Sequence, residues 1–204
     1  MDHQINILAK LTIIGFLLSL ICACASPSYL NVRYNLPPAS DVLQGKKVVL
    51  NIIDTRSNKN IFSEKAQKEF GNFDGSFVLS LTEGKISGPV KLLDLPSLFK
   101  EALKKRLETA GVEVVTGDMN DAPLFEITLK KFFLDLKGLK WIVDISYETK
   151  LTRDNKNIAR MNISGKAERH IAMGKGSGEK LVGEIFSESI NDLDIQKLFK
   201  TVGI

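Results

Sequence analysis

The sequence predicts an α+β fold: a mostly antiparallel sheet with a three-strand meander towards the C-terminus and two helices packed on one face. Three long runs between residues 124 and 169 alternate apolar and polar side chains, which is the period of a strand with one wet face. The segments 94–110 and 178–192 instead repeat apolar residues every three or four positions, as one face of a helix does. Helices that bury one face against a sheet satisfy both patterns.

The N-terminal apolar run, residues 11–23, has the length of a signal-peptide core and is short for a membrane span. Cys24 follows it, with the aliphatic Ile21 three positions back and the small Ala23 adjacent. Cys22 fits less well, because the bulky Ile21 precedes it directly. This is the pattern of a lipoprotein signal, so we expect cleavage before Cys24 and lipid on its thiol and new amino group. The alternative is an uncleaved N-terminal anchor.

The expected organisation is a signal peptide over 1–23, an extended tether over 24–45 that begins with the acylated cysteine, and a single periplasmic domain over 46–204. The tether is rich in proline and weakly periodic, with docking as a strand near Tyr29–Tyr34 as the alternative. Ala25, rather than an aspartate, follows the cysteine. In a Gram-negative bacterium this favours lipid anchoring in the outer membrane, facing the periplasm.

Composition narrows the classes of function. The chain has 28 Lys and Arg against 24 Asp and Glu, a formal charge of +4, and the signs are mixed along the sequence. We therefore expect no nucleic-acid surface. The two cysteines, Cys22 and Cys24, would leave with the signal or carry lipid, so the mature domain would hold no thiol and no disulfide.

The first predicted element of the domain is a buried strand over 47–53, an aliphatic and β-branched run closed by the polar turn 54–58. The segment 57–93 gives weak signals, with 77–81 as a strand between glycine-containing flanks.

The helix over 94–110 has the clearest boundaries of any predicted element. Asp94 can cap its start, and Gly111 can end it by entering the left-handed conformation without strain. A short strand over 112–115 follows.

The three meander strands are separated by turn signals at Lys137-Gly138 and at 153–157. Residues 174–178 are glycine-rich and indicate a flexible hinge, after which Ser177 can cap the helix to about residue 192. Its predicted apolar side, and that of a last helical turn beyond a break at 192–194, is formed by Leu181, Ile185, Phe186, Leu198 and Phe199.

Four features together resemble the YajG-like family of bacterial lipoproteins. They are the lipid-attachment pattern at Cys24, the segment 48–56 (VVLNIIDTR), the helix end 106–111 (RLETAG), and the strand meander before a C-terminal helix. The resemblance covers nearly all of the mature chain and implies location and fold, with no catalytic residues to carry over. The architecture is also similar to that of auxiliary lipoproteins of envelope lipid-transport systems.

Few residues suggest chemistry. His170 is the only histidine of the mature domain and reads as a solvated strand-end residue, because no cysteine or second histidine is present to share a metal. Asp54 and Arg56 are candidates for an anion or partner site at the end of the first strand, although a turn in which they pair with each other is the favoured interpretation. The segment around Ser177 lacks the glycine spacing of a phosphate-binding loop. We expect no catalytic residues, no metal and no cofactor.

One stretch breaks the alternation of the meander. Phe132, Phe133 and Leu134 are consecutive and apolar, and Trp141 lies just across the turn. These four residues are the candidate interaction surface. The alternative is a strand end covered by a helix or by residues 57–93.

The expected function is that of a non-enzymatic envelope lipoprotein that contacts the membrane through its lipid anchor and binds an envelope protein or assembly. The alternative is an accessory lipid-binding lipoprotein, in which residues 132–142 shield the acyl chains of a phospholipid.

Overall fold

The computed structural model describes residues 29–81, 91–116, 122–153, 156–170 and 175–204. In chain order the strands are β1 (Tyr29–Tyr34), β2 (Lys47–Asp54), β3 (Ser76–Leu81), β4 (Glu113–Val115), β5 (Leu124–Lys137), β6 (Lys140–Arg153) and β7 (Lys156–His170). The helices are α1 (Glu64–Phe70), α2 (Leu95–Thr109), α3 (Lys175–Asn191) and α4 (Ile195–Thr201).

The main sheet has five strands in the order β4-β2-β5-β6-β7. Its long pairs, β5 with β6 and β6 with β7, are antiparallel, whereas the shorter pairs of β2 with β4 and with β5 are parallel. The α+β class and the C-terminal meander predicted from the sequence are confirmed. The period-two runs form strands of 14, 14 and 15 residues. Every second side chain of β6 up to Leu151 is buried, and β5 follows the same alternation on either side of a register shift between Leu129 and Lys131.

The helices cover the apolar face of this sheet. Helix α2 packs over β2 and β4, and α3 packs over β6 and β7. The predicted boundaries of α2 are confirmed: the Asp94 carboxylate accepts a hydrogen bond from the Ser97 amide at 2.9 Å, and Gly111 follows the helix with φ 88°. Gly111 also packs against the turn that precedes β2, where a Cβ on residue 111 would lie 2.9 Å from the Gln44 amide nitrogen. Only glycine satisfies both constraints.

The strand β1 was suggested as an alternative within the predicted tether, and it forms part of the core. It pairs in parallel with β3, and its residues Leu30, Val32 and Tyr34 have no exposed surface. The folded domain therefore begins at Tyr29 within the described residues, ahead of the expected boundary at residue 46. An alternating pattern of only six residues was too short to distinguish a docked strand from a tether.

The predicted hinge over 174–178 is wrong for the residues that the structure describes. Gly176, Ser177 and Gly178 lie inside α3, so Ser177 is not a capping residue. Gly178 is explained by packing: a Cβ there would lie 3.2 Å from the Trp141 indole and 3.3 Å from the Phe70 ring. Gly178 therefore allows the helix to approach the sheet closely. From the sequence alone, the same glycine suggested a flexible hinge.

Both β1 and α3 run in the direction of β6. Gly178 lies over Trp141 near the start of β6, and eleven residues later the Ser189 carbonyl accepts a hydrogen bond from the Tyr147 hydroxyl at 2.7 Å. Strand β1 lies beside α3, and the Asn35 amide at its far end donates to the Ser187 hydroxyl at 3.0 Å. Tyr29 is therefore at the same end of the domain as the β5–β6 hairpin.

Candidate functional site

Cys24, the predicted site of lipid attachment, lies outside the described residues. The structure does fix where its chain enters the fold, because Tyr29 begins β1. Four residues separate Cys24 from Tyr29.

The candidate interaction surface at Phe132, Phe133, Leu134 and Trp141 is mostly core. Phe132, Leu134 and Trp141 are 3, 1 and 1% exposed, so the expectation that they form a surface is wrong. Their cover comes from residues 57–93 and from helices α2 and α3, the alternative recognised from the sequence. The Phe77 ring meets Phe132 edge-on at 5.8 Å. The Phe70 ring meets Trp141 edge-on at 5.7 Å.

Phe133 lies on the opposite face of β5, since side chains alternate along a strand. It is partly exposed and pairs across the ladder with Asp144. Beyond it, Leu139 at the tip of the β5–β6 hairpin is 73% exposed, the highest value among the exposed large apolar residues of the described chain. Of the predicted apolar region, Leu139 is thus exposed, and Phe133 and Ile142 are partly exposed.

Asp54 and Arg56 form an internal ion pair at the end of β2. The Arg56 guanidinium donates from Nε to Asp54 Oδ1 at 3.0 Å and from Nη2 to Asp54 Oδ2 at 2.9 Å, and its Nη1 reaches the Lys59 carbonyl at 3.4 Å. The Asp54 carboxylate also accepts from the Arg56 amide, and the Lys59 ammonium lies 3.1 Å from it. This is the turn favoured from the sequence. The Arg56 guanidinium uses three of its five N–H groups within the chain, and its side chain is only 6% exposed, so it offers little surface to an external anion.

Burial disfavours the charged form of Asp54, but hydrogen bonds from the side chain and backbone of Arg56 and from Lys59 outweigh it and lower the pKa to about 2. The carboxylate thus stays ionised at neutral pH. A carboxyl held so firmly in the anionic form is unsuited to general acid–base work near neutral pH.

A cleft of about 480 Å³ opens beside this ion pair, between the chain of residues 56–67 and the start of α2. Its apolar lining consists of Ile61, Phe62, Phe73, Phe77, Leu95 and Pro96. Its polar lining includes Arg56, Lys59, Asn60, Ser63, Glu64, Gln67 and Asp94. An apolar floor with a few polar groups around it is typical of a site for an apolar side chain or a hydrocarbon group.

Aromatic rings connect the cleft to the core. Phe62 stacks on Phe70 at 4.6 Å and meets Phe73 edge-on at 5.0 Å. Phe73 in turn meets Phe77 at 5.6 Å. The cleft floor is therefore held in shape by rings packed on the sheet. Sequence reasoning missed this site, although four phenylalanines between residues 62 and 77 were a usable signal.

His170 is exposed at the end of β7, opposite Lys140 in the ladder, as expected. Among the described residues no group of three or more His, Cys, Asp or Glu is placed to hold a metal ion. None of the described helices combines the length and apolar character needed to cross a membrane.

Comparison with known proteins gives distant structural likenesses. No protein-family model matches the chain, and no curated protein matches it. A Xanthomonas campestris protein described as DUF330 is 13% identical, with a TM-score of 0.44 over 85% of this chain and 93% of that one. The rare lipoprotein B of Shewanella oneidensis is 13% identical, with a TM-score of 0.42 over 76% and 96%.

A minor lipoprotein of Acinetobacter baumannii is 11% identical, with a TM-score of 0.36 over 81% of this chain and 94% of that one. At these identities and scores the likenesses carry no argument about function, and the resemblance to the YajG-like family stays a prediction.

Proposed function

We propose that this chain is a non-enzymatic lipoprotein of the bacterial cell envelope, anchored through acylated Cys24 in the outer membrane and facing the periplasm. We propose further that its domain binds an envelope protein through the cleft beside Arg56. The anchor is supported by the spacing of Ile21, Ala23 and Cys24. The binding role is supported by one observation, the aromatic-floored cleft with a polar rim.

The partner class follows from the shape and chemistry of the cleft. Its floor accepts an apolar side chain, while the exposed polar groups Lys59, Asn60 and Gln67 at its edge can hydrogen-bond to a neighbouring backbone. Apolar centres surrounded by polar rims are the usual anatomy of protein–protein contacts. A protein segment carrying one large apolar anchor would use both parts.

The anchor is tested by replacing each cysteine in the full chain. Cys24→Ala should block signal processing or release the domain from the membrane fraction, whereas Cys22→Ala should leave both unchanged. The measurement is fractionation combined with the mass of the mature N-terminus. If Cys24→Ala protein is processed and stays with the membrane while Cys22→Ala protein is released, the lipid is not on Cys24 and the proposed assignment is wrong.

The cleft is tested with two exposed glutamines on short helices. Gln67 lies on α1 at the cleft, and Gln196 lies on α4 elsewhere on the surface. Gln67→Arg should remove a partner that co-purifies stoichiometrically with the tagged full chain from detergent-solubilised membranes. Gln196→Arg should retain it. Equal recovery with both variants would place the partner site elsewhere.

An accessory lipid-binding role is the second candidate, and the same cleft supports it because its floor is hydrocarbon-like. Residues 132–142 do not serve this role in the way expected from the sequence, since Phe132, Leu134 and Trp141 are core. Mass spectrometry of the same purifications separates the two functions. Phospholipid that is bound by the wild-type chain and by Gln196→Arg, but not by Gln67→Arg, would favour the lipid role.

A further inference from the structure

We infer that the tip of the β5–β6 hairpin, residues 137–140, is a membrane-contact surface that rests on the phospholipid headgroups beside the lipid anchor. The inference rests on the proposed acylation of Cys24. It adds to that proposal an orientation of the domain and a second point of contact with the bilayer.

The lipid anchor limits how far Tyr29 can lie from the bilayer. Five peptide steps join Cys24 to Tyr29, and a fully extended chain spans at most about 3.3–3.6 Å per residue. Tyr29 therefore lies within about 18 Å of a cysteine whose acyl chains sit in the bilayer. Because β1 is paired with β3 and packed against α3, the end of the folded domain that carries Tyr29 is held near the bilayer.

Tyr29 lies at the end of the domain that carries the β5–β6 hairpin. A groove between β1 and α3 is lined by Asn31 and Gly176, and Gly178 packs on Trp141, two residues beyond Leu139. The start of β1, the start of α3 and the β5–β6 hairpin thus share one end. The anchor holds that end towards the membrane.

The tip of the hairpin combines an exposed aliphatic side chain with two lysines. It reads Lys137-Gly138-Leu139-Lys140, with Leu139 73% exposed and the Lys137 side chain also 73% exposed. The Lys140 side chain is 39% exposed and lies 3.1 Å from Glu168, while Lys137 lies 3.8 Å from Asp135. An exposed leucine between two lysines suits the bilayer interface, where the aliphatic group enters the headgroup region and the ammonium groups meet lipid phosphates.

The opposite end of the domain supplies a matched control. Val42 lies in the turn before β2, is 61% exposed, and belongs to the end where β5 begins. The 14 residues of β5 separate the two ends by about 40 Å. Val42 and Leu139 are both exposed aliphatic residues in turns, but only Leu139 is predicted to meet lipid.

The test places a single cysteine in the full-length lipoprotein at either position. Leu139→Cys and Val42→Cys each add the only free thiol of the mature chain if Cys24 is acylated. Each variant is labelled with a nitrobenzoxadiazole fluorophore and reconstituted into vesicles of phosphatidylethanolamine and phosphatidylglycerol that contain nitroxide-labelled lipid. Flotation and the mass of the mature N-terminus are measured on the same samples.

We expect the label at residue 139 to be quenched several-fold more strongly than the label at residue 42, with its emission shifted to the blue. Equal quenching in samples that float and carry lipid on Cys24 would overturn the membrane contact while leaving the anchor intact. Stronger quenching at residue 42 would show the reverse orientation. Failure to float, with no lipid on Cys24, would remove the anchor and the membrane contact together.

Discussion

Phe132 and Phe133 are neighbours on β5 but meet opposite surroundings. Phe132 is 3% exposed and has the rings of Phe77 and Phe99 edge-on at 5.8 and 6.2 Å. Phe133 points to the other face of the sheet, which the helices leave uncovered, and is partly exposed opposite Asp144. An apolar pair along a strand therefore does not reveal which member is covered. The cover is supplied by residues remote in sequence.

The largest expected effect comes from placing a charge on each face. Phe132→Asp should lower the free energy of unfolding by more than about 4 kcal/mol, because it empties an aromatic site and buries a carboxylate. Phe133→Asp should cost about 1–2 kcal/mol, because its carboxylate stays in contact with water but lies opposite Asp144. Urea unfolding followed by the fluorescence of Trp141, the single tryptophan, measures both. Equal losses would show that the two faces are equally buried.

A second comparison concerns two glycines of α3 and separates packing from helix propensity. A Cβ at Gly183 would lie 3.0 Å from the Arg33 carbonyl oxygen, whereas a Cβ at Gly176 would have no atom within 4 Å. Gly183→Ala should therefore force β1 away from α3 and cost about 1–3 kcal/mol. Gly176→Ala should stay within about 0.5 kcal/mol of the wild type, since alanine favours the helix. Thermal unfolding of the two variants is the measurement, and a neutral Gly183→Ala would mean that β1 is loosely docked.

The same contrast explains which elements could be predicted from the sequence. The helix over 94–110 and the three meander strands carry long periodic patterns, and their period alone determines the buried face. The strand 77–81 was predicted nearly in full, but α1 was missed because its seven residues bury only Ala66 and Phe70. Parallel pairing of β1 with β3 joins residues 47 apart and leaves no local signal. Gly178 suggests a flexible hinge in the sequence, because its close contact with Trp141 depends on the tertiary fold.

The candidate site was predicted in outline only. The turn at Asp54 and Arg56 follows from a polar pair directly after a strand, and the structure confirms their pairing. The cleft beside them is formed by three segments, near residues 60, 75 and 95, and depends on tertiary packing. The surface expected at Phe132, Leu134 and Trp141 is wrong, because segments remote in sequence cover these residues, and part of that cover comes from residues 57–93, whose pattern is the weakest.

The Asp54–Arg56 pair gives a smaller effect that depends on pH. The folded-state pKa of Asp54 is about 2, below its ordinary value of 3.8, so ionised Asp54 stabilises the fold above pH 3.8 and this contribution is lost as the pH falls towards 2. The lowered pKa of Asp54 corresponds to a stabilisation of about 1–2 kcal/mol, and the Asp54 side chain, 16% exposed, is only weakly screened by water. The difference in unfolding free energy between wild type and Asp54→Asn should be largest above about pH 5 and shrink in acid. A difference independent of pH would mean that the ion pair is not what the asparagine removes.

The smallest expected effect lies on the uncovered face, where charges replace apolar contacts. The Lys131 ammonium lies 2.6 Å from Asp144 across β5 and β6, with side-chain exposures of 52 and 24%. Because water and salt screen such a pair, its coupling free energy should be about 0.2–1 kcal/mol. A double-mutant cycle of Lys131→Met and Asp144→Asn at low and high salt measures it, and added salt should reduce the coupling. A coupling above about 2 kcal/mol that resists salt would indicate that this face is desolvated, which would remove the contrast between the surroundings of Phe132 and Phe133.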